Sequence, residues 1–284
     1  MPLVNTVLML RKASEEGYCV GAFNIVDHLT MEAVVRAAEA RSAPVIIQTS
    51  AGTVERYTAK GLAAMARQIA GESPVPVGLH LDHGTDREMI HQAIAGGYTS
   101  VMIDASKYGF DENVARTLDV VKEAHSRGLS VEGEIGVGAG VEEDIGVRQD
   151  KAIYTTPEEA LRFQAACGVD FLAAAIGTAH GFYKVEPRLD IETLRSIRSG
   201  ADFPLVVHGA TGLPMDTVQA LVAAGAAKMN VSTQIKQTYI DALYKYIGEH
   251  REEYNPMRVL KYAFKQLVDM LGNYIAVLGS QGKA

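Results

Sequence analysis

Short apolar runs recur along this chain, and the longer stretches between them place their apolar residues at helical spacing. The runs are Cys19–Ile25, Pro44–Gln48, Val75–Leu81, Ser100–Ile103, Leu129–Ile135, Phe171–Ile176, Pro204–Val207 and Ala226–Val231, each read as a buried strand. The intervening Met31–Arg41, Ala59–Ala70, Asp86–Ala95, Asp111–Ser126, Pro157–Ala166, Ile191–Ser199 and Met215–Ala224 are read as helices. Thr156-Pro157-Glu158-Glu159 shows how such a helix starts, with a hydroxyl at the N-cap, proline in the first turn and acids behind it. Continuous apolar strands alternating with helices specify a parallel sheet covered on both faces. Eight such units in about 250 residues specify an α/β fold of the (β/α)8 TIM-barrel type, with a doubly wound open sheet as the competing architecture. Residues Gln234 to Leu271 predict additional C-terminal helices beyond what closure requires, of the kind that covers an interface. No low-complexity linker interrupts the pattern, so residues 1–284 are read as one barrel domain.

Composition narrows the setting. With 284 residues, 48% hydrophobic, the chain can bury a large core. Cys19 and Cys167 make neither a disulfide framework nor a cysteine zinc site, which suits a reducing cytoplasm. Near the N-terminus, Val4, Val7, Leu8 and Leu10 are interrupted by Arg11 and Lys12, a pattern for a short amphipathic helix rather than a signal sequence. Nothing approaches the roughly 18 consecutive apolar residues of a membrane span, so a cytoplasmic protein with no membrane partner is expected. A net charge of −7 with no compensating basic cluster argues against nucleic acid. An anionic ligand would then have to be attracted locally, by a metal, helix N-termini and a few placed cations.

In a barrel of this kind, chemistry sits where strands end and loops begin. Those positions hold Asp82 and His83, Asp104, Glu132 and Glu134, His180, His208, and Asn230 with Thr233. His83, His180 and His208 are each followed directly by glycine. Three imidazoles with one position left open are the catalytic rather than the structural arrangement for zinc. The remaining histidines lack that context: His91, His125 and His250 fall on helices, His28 has no glycine after it, and His80 is placed to orient a ligand. Gly181, the Gly209-Ala210-Thr211-Gly212 turn and Asn230-Val231-Ser232-Thr233 offer backbone N–H groups and hydroxyls after the later strands, where barrels commonly hold phosphate.

The motifs together resemble those of the zinc-dependent class II ketose-bisphosphate aldolases, the family holding fructose- and tagatose-1,6-bisphosphate aldolases. The resemblance runs through Ala22-Phe23-Asn24, His80-Leu81-Asp82-His83, Ser100 to Ser106, Val131 to Gly136, Ile176 to Gly181, His208 to Gly212, Asn230 to Thr233 and the Gly279 to Ala284 tail. It implies a lyase that reversibly cleaves a ketose bisphosphate to dihydroxyacetone phosphate and an aldehyde such as glyceraldehyde 3-phosphate, working as a homodimer or homotetramer. It further implies one catalytic Zn2+ per chain on His83, His180 and His208, with room for a monovalent cation near the phosphate site. By the same resemblance Asp82 handles the hydroxyl proton at the scissile bond. Gly181, Gly209, Ala210, Thr211 and Asn230, Val231, Ser232, Thr233 would hold the dihydroxyacetone-phosphate end.

Cleaving a bond next to a ketone requires a sink for the carbanion, and a Lewis-acidic metal provides one without a lysine. Lys228 in the eighth strand is the candidate for the Schiff-base alternative, which would leave the three histidines unexplained. The family takes the enolising proton with a glutamate on a loop after strand five. That loop is Gly136 to Asp150 here, and Glu142 aligns with the catalytic position, with Glu143 as its neighbour. Asp104 and Glu134 resemble positions that bind a second metal or support the first. Asn24, Ser50 and Gly52 are candidate contacts to the far end of the sugar, and Arg258 and Lys261 candidates to reach its second phosphate from an adjacent subunit. A hydroxyl orientation separates fructose from tagatose, and no linear motif reports it. Other phosphorylated ketoses or sugar acids stay open, as do a metal-dependent barrel hydrolase and a noncatalytic partner subunit.

Overall fold

A computed structural model describes residues 3–136, 139–142, 145–147, 154–181, 183 and 187–284, with backbone alone at 139–142, 145–147 and 180. The strands are β1 (Val20–Asn24), β2 (Val45–Thr49), β3 (Val77–Gly84), β4 (Ser100–Ile103), β5 (Ser130–Ile135), β6 (Ala139–Glu142), β7 (Ile145–Val147), β8 (Phe171–Ala174), β9 (Ala179–His180), β10 (Leu205–Val207) and β11 (Ala226–Val231). Eight of them close into a barrel in the order β1-β11-β10-β8-β5-β4-β3-β2, with every neighbouring pair parallel. Helices α1 (Thr6–Glu16), α2 (His28–Ala40), α3 (Ala51–Tyr57), α4 (Ala59–Gly71), α5 (Arg87–Gly96), α6 (Phe110–Ser126), α7 (Pro157–Cys167), α8 (Ile191–Gly200), α9 (Met215–Ala223), α10 (Thr233–Glu249) and α11 (Pro256–Val277) complete the described elements. The expected (β/α)8 architecture with surplus C-terminal helices is what forms.

Side-chain alternation along the strands sorts the core into two clusters. One set, including Phe23, Ile47, Leu79, Leu81, Val101, Val131, Leu172, Val207 and Met229, packs under the helices. The other, with Val20, Ala22, Ile46, Phe171, Ala173 and Val206, fills the barrel interior together with Met9, Leu10 and Ala13 of α1. The N-terminal amphipathic helix is therefore the plug of the barrel floor. Asn5 caps it by accepting from Val7 N–H, and the Val4 N–H bonds the carbonyl of Val77 on β3.

Local chemistry sets most helix boundaries. Thr156 and Glu159 form a reciprocal capping box at α7 with Pro157 in the first turn. Asp27 and Thr30 form another at α2, which starts that helix at His28 rather than at Met31. α3 was not expected. Strand β3 runs on from Leu81 to Gly84, so Asp82 and His83 lie within the strand instead of after it. Its register against β4 shifts between Leu81 and Gly84, and His83 takes a left-handed φ of 45°, an uncommon conformation for a residue with a side chain.

The segment Gly136 to Asp150, expected as a plain loop, contains paired backbone. β6 pairs antiparallel with β7 and parallel with β9, with Gly140 opposite His180. Pairing of this kind satisfies peptide groups at the barrel mouth. No described helix is long and apolar enough to cross a membrane.

Candidate active site

The same alternation that fills the barrel floor with apolar groups carries polar ones upward. On β1 the inward series continues to Asn24, on β2 to Gln48, on β3 to His80 and Asp82, on β5 to Glu132 and Glu134, and on β11 to Lys228 and Asn230. All eight are buried. At such depth a polar group must find a partner, and a connected network results.

Asp82 stands at its centre. Asn24 Nδ2 donates to Asp82 Oδ2 at 2.7 Å, and Asn230 Nδ2 donates to Asp82 Oδ1 at 3.0 Å. Each amide is itself oriented from behind. Gln48 Nε2 donates to Asn24 Oδ1 at 2.9 Å, and Lys228 Nζ donates to Asn230 Oδ1 at 2.7 Å. Both carboxylate oxygens are thus held by amides that have no freedom to flip. Asn24, expected at the far end of the sugar, has both amide atoms engaged beside Asp82.

Around Glu132 the network turns ionic. Its Oε2 lies 2.8 Å from Lys228 Nζ and 3.4 Å from His80 Nε2, while its Oε1 is 2.7 Å from His208 Nε2. Burial by itself would raise the Glu132 carboxyl. The Lys228 ammonium, followed by the hydrogen bond and charge of His208, outweighs burial and holds it well below the usual carboxylate range. His80 Nδ1 is 2.8 Å from Ser100 Oγ, whose own oxygen is 2.7 Å from Thr6 Oγ1, tying the network to the floor helix.

The histidines above this layer are arranged as metal ligands would be. His83 and His208 meet edge to face with ring centroids 4.7 Å apart. Their nitrogens and an Asp82 oxygen lie within 4.8 Å of one another, as do donor atoms of His83, Asp104 and Glu134. Ionised carboxylates only accept, so they fix the tautomers. Glu132 takes Nε2–H of His208, which puts the lone pair of that neutral ring on Nδ1. Asp104 Oδ2 is 3.0 Å from His83 Nδ1, which puts the lone pair of His83 on Nε2. Burial lowers the pKa of His208 against the opposing hydrogen bond from Glu132, and burial with the nearby Lys228 charge lowers that of His80 far more. Neutral imidazole is the form that binds zinc. With the carboxylates of Asp82, Asp104 and Glu134 beside these imidazoles and Glu132 paired with the buried Lys228 ammonium, the donor set suits a divalent cation. Asp104 is itself braced, its Oδ1 accepting from Ser106 N–H at 3.1 Å and from Ser106 Oγ at 2.7 Å.

His180 ends β9, which follows β8 in the chain; its side chain, like that of Glu142 at the end of β6, lies outside the described residues, as does Glu143 altogether. The glycines after the histidines have steric as well as chemical reasons. A Cβ on Gly84 would stand 2.5 Å from the carbonyl oxygen of Met102, and one on Gly209 would stand 2.5 Å from that of Ala179. Gly181 and Gly209 also need positive φ, 87° and 70°. Tyr183, not anticipated from sequence, bridges these turns: its hydroxyl accepts from Ala179 N–H at 2.8 Å and donates to the Gly209 carbonyl at 2.7 Å. Beyond Ala210 and Thr211, both buried, β11 passes through Val231 to Ser232, the N-cap of α10, whose first residue is Thr233. The helix N-terminus expected beside the proposed phosphate site is there.

The distal candidates divide. Ser50 is the N-cap of α3, with Gly52 in its first turn. Arg258 and Lys261 line a groove between α10 and α11 with Tyr246 and Tyr262, and the Arg258 guanidinium is bonded to Glu253 at 3.0 Å. Among the described residues neither touches the imidazole cluster.

Glu132, Gln48 and Lys228 carry the network; Gln48 was not anticipated, and its one signal in the sequence is a polar position on the inward face of an apolar strand. Lys228 is fully buried against Glu132, an ion pair rather than the free amine a Schiff base needs.

The profile of the family described as fructose-bisphosphate aldolase class-II matches residues 4–283. Among solved structures, the YdjI aldolase from Escherichia coli K12 is 31% identical with a TM-score of 0.87, the match covering 99% of each chain. A putative fructose-1,6-bisphosphate aldolase from Coccidioides immitis is 27% identical with a TM-score of 0.89, covering 98% of this chain and 97% of that one. Fructose-bisphosphate aldolase from Campylobacter jejuni, 22% identical, shares the fold at a TM-score of 0.87 over 100% of this chain and 97% of its own. With that match spanning the barrel and every motif above, neither a hydrolase nor a noncatalytic subunit stands, and the chain belongs to the class II fructose-bisphosphate aldolases, enzymes that are carbon–carbon lyases.

Proposed function

We propose that this protein is a zinc-dependent aldolase that reversibly cleaves a ketose 1,6-bisphosphate, fructose or tagatose, to dihydroxyacetone phosphate and glyceraldehyde 3-phosphate. The observation that carries the reading is the convergence of His83, His208 and Asp82 within 4.8 Å at the barrel mouth, with both imidazoles anchored by carboxylates in complementary tautomers. His83, His180 and His208 would hold the metal, and Asp104 and Glu134 act as its supports, a role favoured over a second site by the engagement of both Asp104 oxygens. Bound zinc would stabilise negative charge developing on the ketone oxygen as a Lewis acid.

The chain's own residues supply the rest. Asp82, aimed by Asn24 and Asn230, takes the proton from the hydroxyl at the scissile bond during cleavage and returns it during condensation. Glu142 moves the proton at the carbon of dihydroxyacetone phosphate that becomes the nucleophile. Gly181, Gly209 to Thr211 and the α10 N-terminus, Asn230 to Thr233, bind that product's phosphate through backbone N–H groups and the helix dipole, with a monovalent cation assisting there. Ser50, Gly52 and, from a neighbouring subunit of a homodimer or homotetramer, Arg258 and Lys261 meet the distal end. We infer one aldolase domain across the chain, working in the cytoplasm.

The test is coupled cleavage of both bisphosphates by one preparation, as purified, after chelation and after zinc is restored. Chelator-sensitive, zinc-restored cleavage is expected, and the ratio of the two rates names the sugar. Chelator-resistant cleavage overturns the zinc mechanism. Restored metal with neither sugar cleaved moves the substrate to another phosphorylated ketose or sugar acid, found by screening aldehydes with dihydroxyacetone phosphate.

A further inference from the structure

Lys228 is a fully buried lysine that the proposed chemistry leaves without a task, yet it touches both halves of the site. Its ammonium donates to Asn230 Oδ1 at 2.7 Å and lies 2.8 Å from Glu132 Oε2. The first contact decides which way the Asn230 amide faces. With Oδ1 fixed by a cation, Nδ2 is left to donate to Asp82 Oδ1; a flipped amide would set its carbonyl oxygen against the Asp82 carboxylate and its N–H2 against the ammonium. The second contact holds Glu132 where its other oxygen receives Nε2–H of His208, so that Nδ1 of that ring faces the metal position.

We propose that Lys228 is a positioning residue that aligns the acid/base and a metal ligand together, through the Asn230 amide on Asp82 and through Glu132 on His208. The proposal rests on the functional reading above for what Asp82 and His208 do. Its two arms are separable, because the arm through Glu132 depends on hydrogen bonding that a neutral amide can keep, whereas the arm through Asn230 depends on the ammonium.

The experiment compares wild type with Lys228→Met and with the double variant Lys228→Met/Glu132→Gln. It reads zinc affinity by competition with a chromophoric chelator, cleavage kinetics, and exchange of the dihydroxyacetone-phosphate proton with deuterated solvent. Lys228→Met strands a buried carboxylate, and zinc affinity and cleavage should both fall about 10- to 100-fold. The double variant has no stranded charge, and the amide oxygen that Glu132→Gln introduces still accepts from His208. Its zinc affinity and solvent exchange should return to within about threefold of wild type, while kcat for cleavage stays about 10- to 100-fold down with little change in KM, because Asp82 alone is misaligned. If the single variant fails to fold, the double variant decides.

Wild-type cleavage by the double variant would make Lys228 a mere counter-ion and overturn the proposal. So would parallel loss of zinc, exchange and cleavage, the signature of general disorder. Should wild type itself cleave neither sugar, the functional reading fails separately. A crystal structure of the double variant then decides on Lys228: an Asn230 amide turned away from Asp82 upholds it, and an unchanged amide overturns it.

Discussion

His83 Nδ1 and Asp104 Oδ2 lie 3.0 Å apart, and the carboxylate is locked on its far side by Ser106. A ring so held presents its other nitrogen at a fixed angle. Replacing Asp104 with Ala should weaken zinc binding about 10- to 100-fold in a chelator competition, with a smaller loss for Asp104→Asn, whose amide oxygen can still accept. Unchanged affinity in the Ala variant would show that Asp104 does not orient this ring.

Asp82→Asn keeps size and replaces an acceptor by a group that moves no proton. Cleavage should fall by roughly 10²- to 10⁴-fold, the usual worth of a positioned acid/base, while bound zinc and solvent exchange of dihydroxyacetone phosphate persist. Equal loss of exchange and cleavage would point instead to Asp82 serving the metal.

Gly209 combines a φ of 70° with the Ala179 backbone pressed against it. Gly209→Ala should cost about 1–3 kcal/mol, read as a lower urea midpoint, and should disturb His208 beside it. Gly128, also at positive φ but with open space around it, is the control: its alanine variant pays the backbone penalty without the collision.

Tyr239 donates its hydroxyl proton to Asp27 Oδ2 at 2.9 Å, joining α10 to the cap of α2. Burial first, then that carboxylate, pushes the phenol from 10.0 up to about 12. A phenol raised in this way contributes stability that is fully present below the unfolded value near 10 and is lost as pH rises towards the folded value. Denaturation midpoints should therefore drop between pH 10 and 12, and Tyr239→Phe should flatten part of that fall. Tyr18, pushed up to about 12 by burial, accounts for a remaining slope; an identical slope in the Phe variant would remove the Asp27 bond from the account.

The barrel was legible because strands buried on both faces leave continuous apolar runs, and the meeting of His83 with His208 was legible because each follows the end of such a run; the side chain of His180, expected with them, lies outside the described residues. The layer beneath them was not legible. Gln48 drew no notice, Glu132 was marked only as a strand-end carboxylate and Lys228 only as a Schiff-base candidate, since a linear scan does not say that the inward face of one strand meets that of another across the barrel. Asn24 was picked out as a distal substrate contact and Asn230 as part of a strand-end phosphate turn; that both side chains meet at Asp82 is a relation between β1, β3 and β11 that only closure creates. The end of β3 was placed early because Asp82 and His83 look like loop residues, and it is the register shift and left-handed turn at His83 that carry the strand past them.

The pairing of β6 with β9, which sets Gly140 opposite His180, ties the segment bearing Glu142 to the strand bearing a proposed zinc ligand. Strand side chains alternate, so sliding this ladder by one residue turns over every side chain on it. Chain length between Ile135 and Ala139 is therefore under the same constraint as the identity of the glutamate itself. For anyone remodelling this enzyme, a single inserted residue there is a more drastic edit than many substitutions within the segment, because it would reverse the face on which the proposed base Glu142 stands while leaving the composition of the mouth untouched.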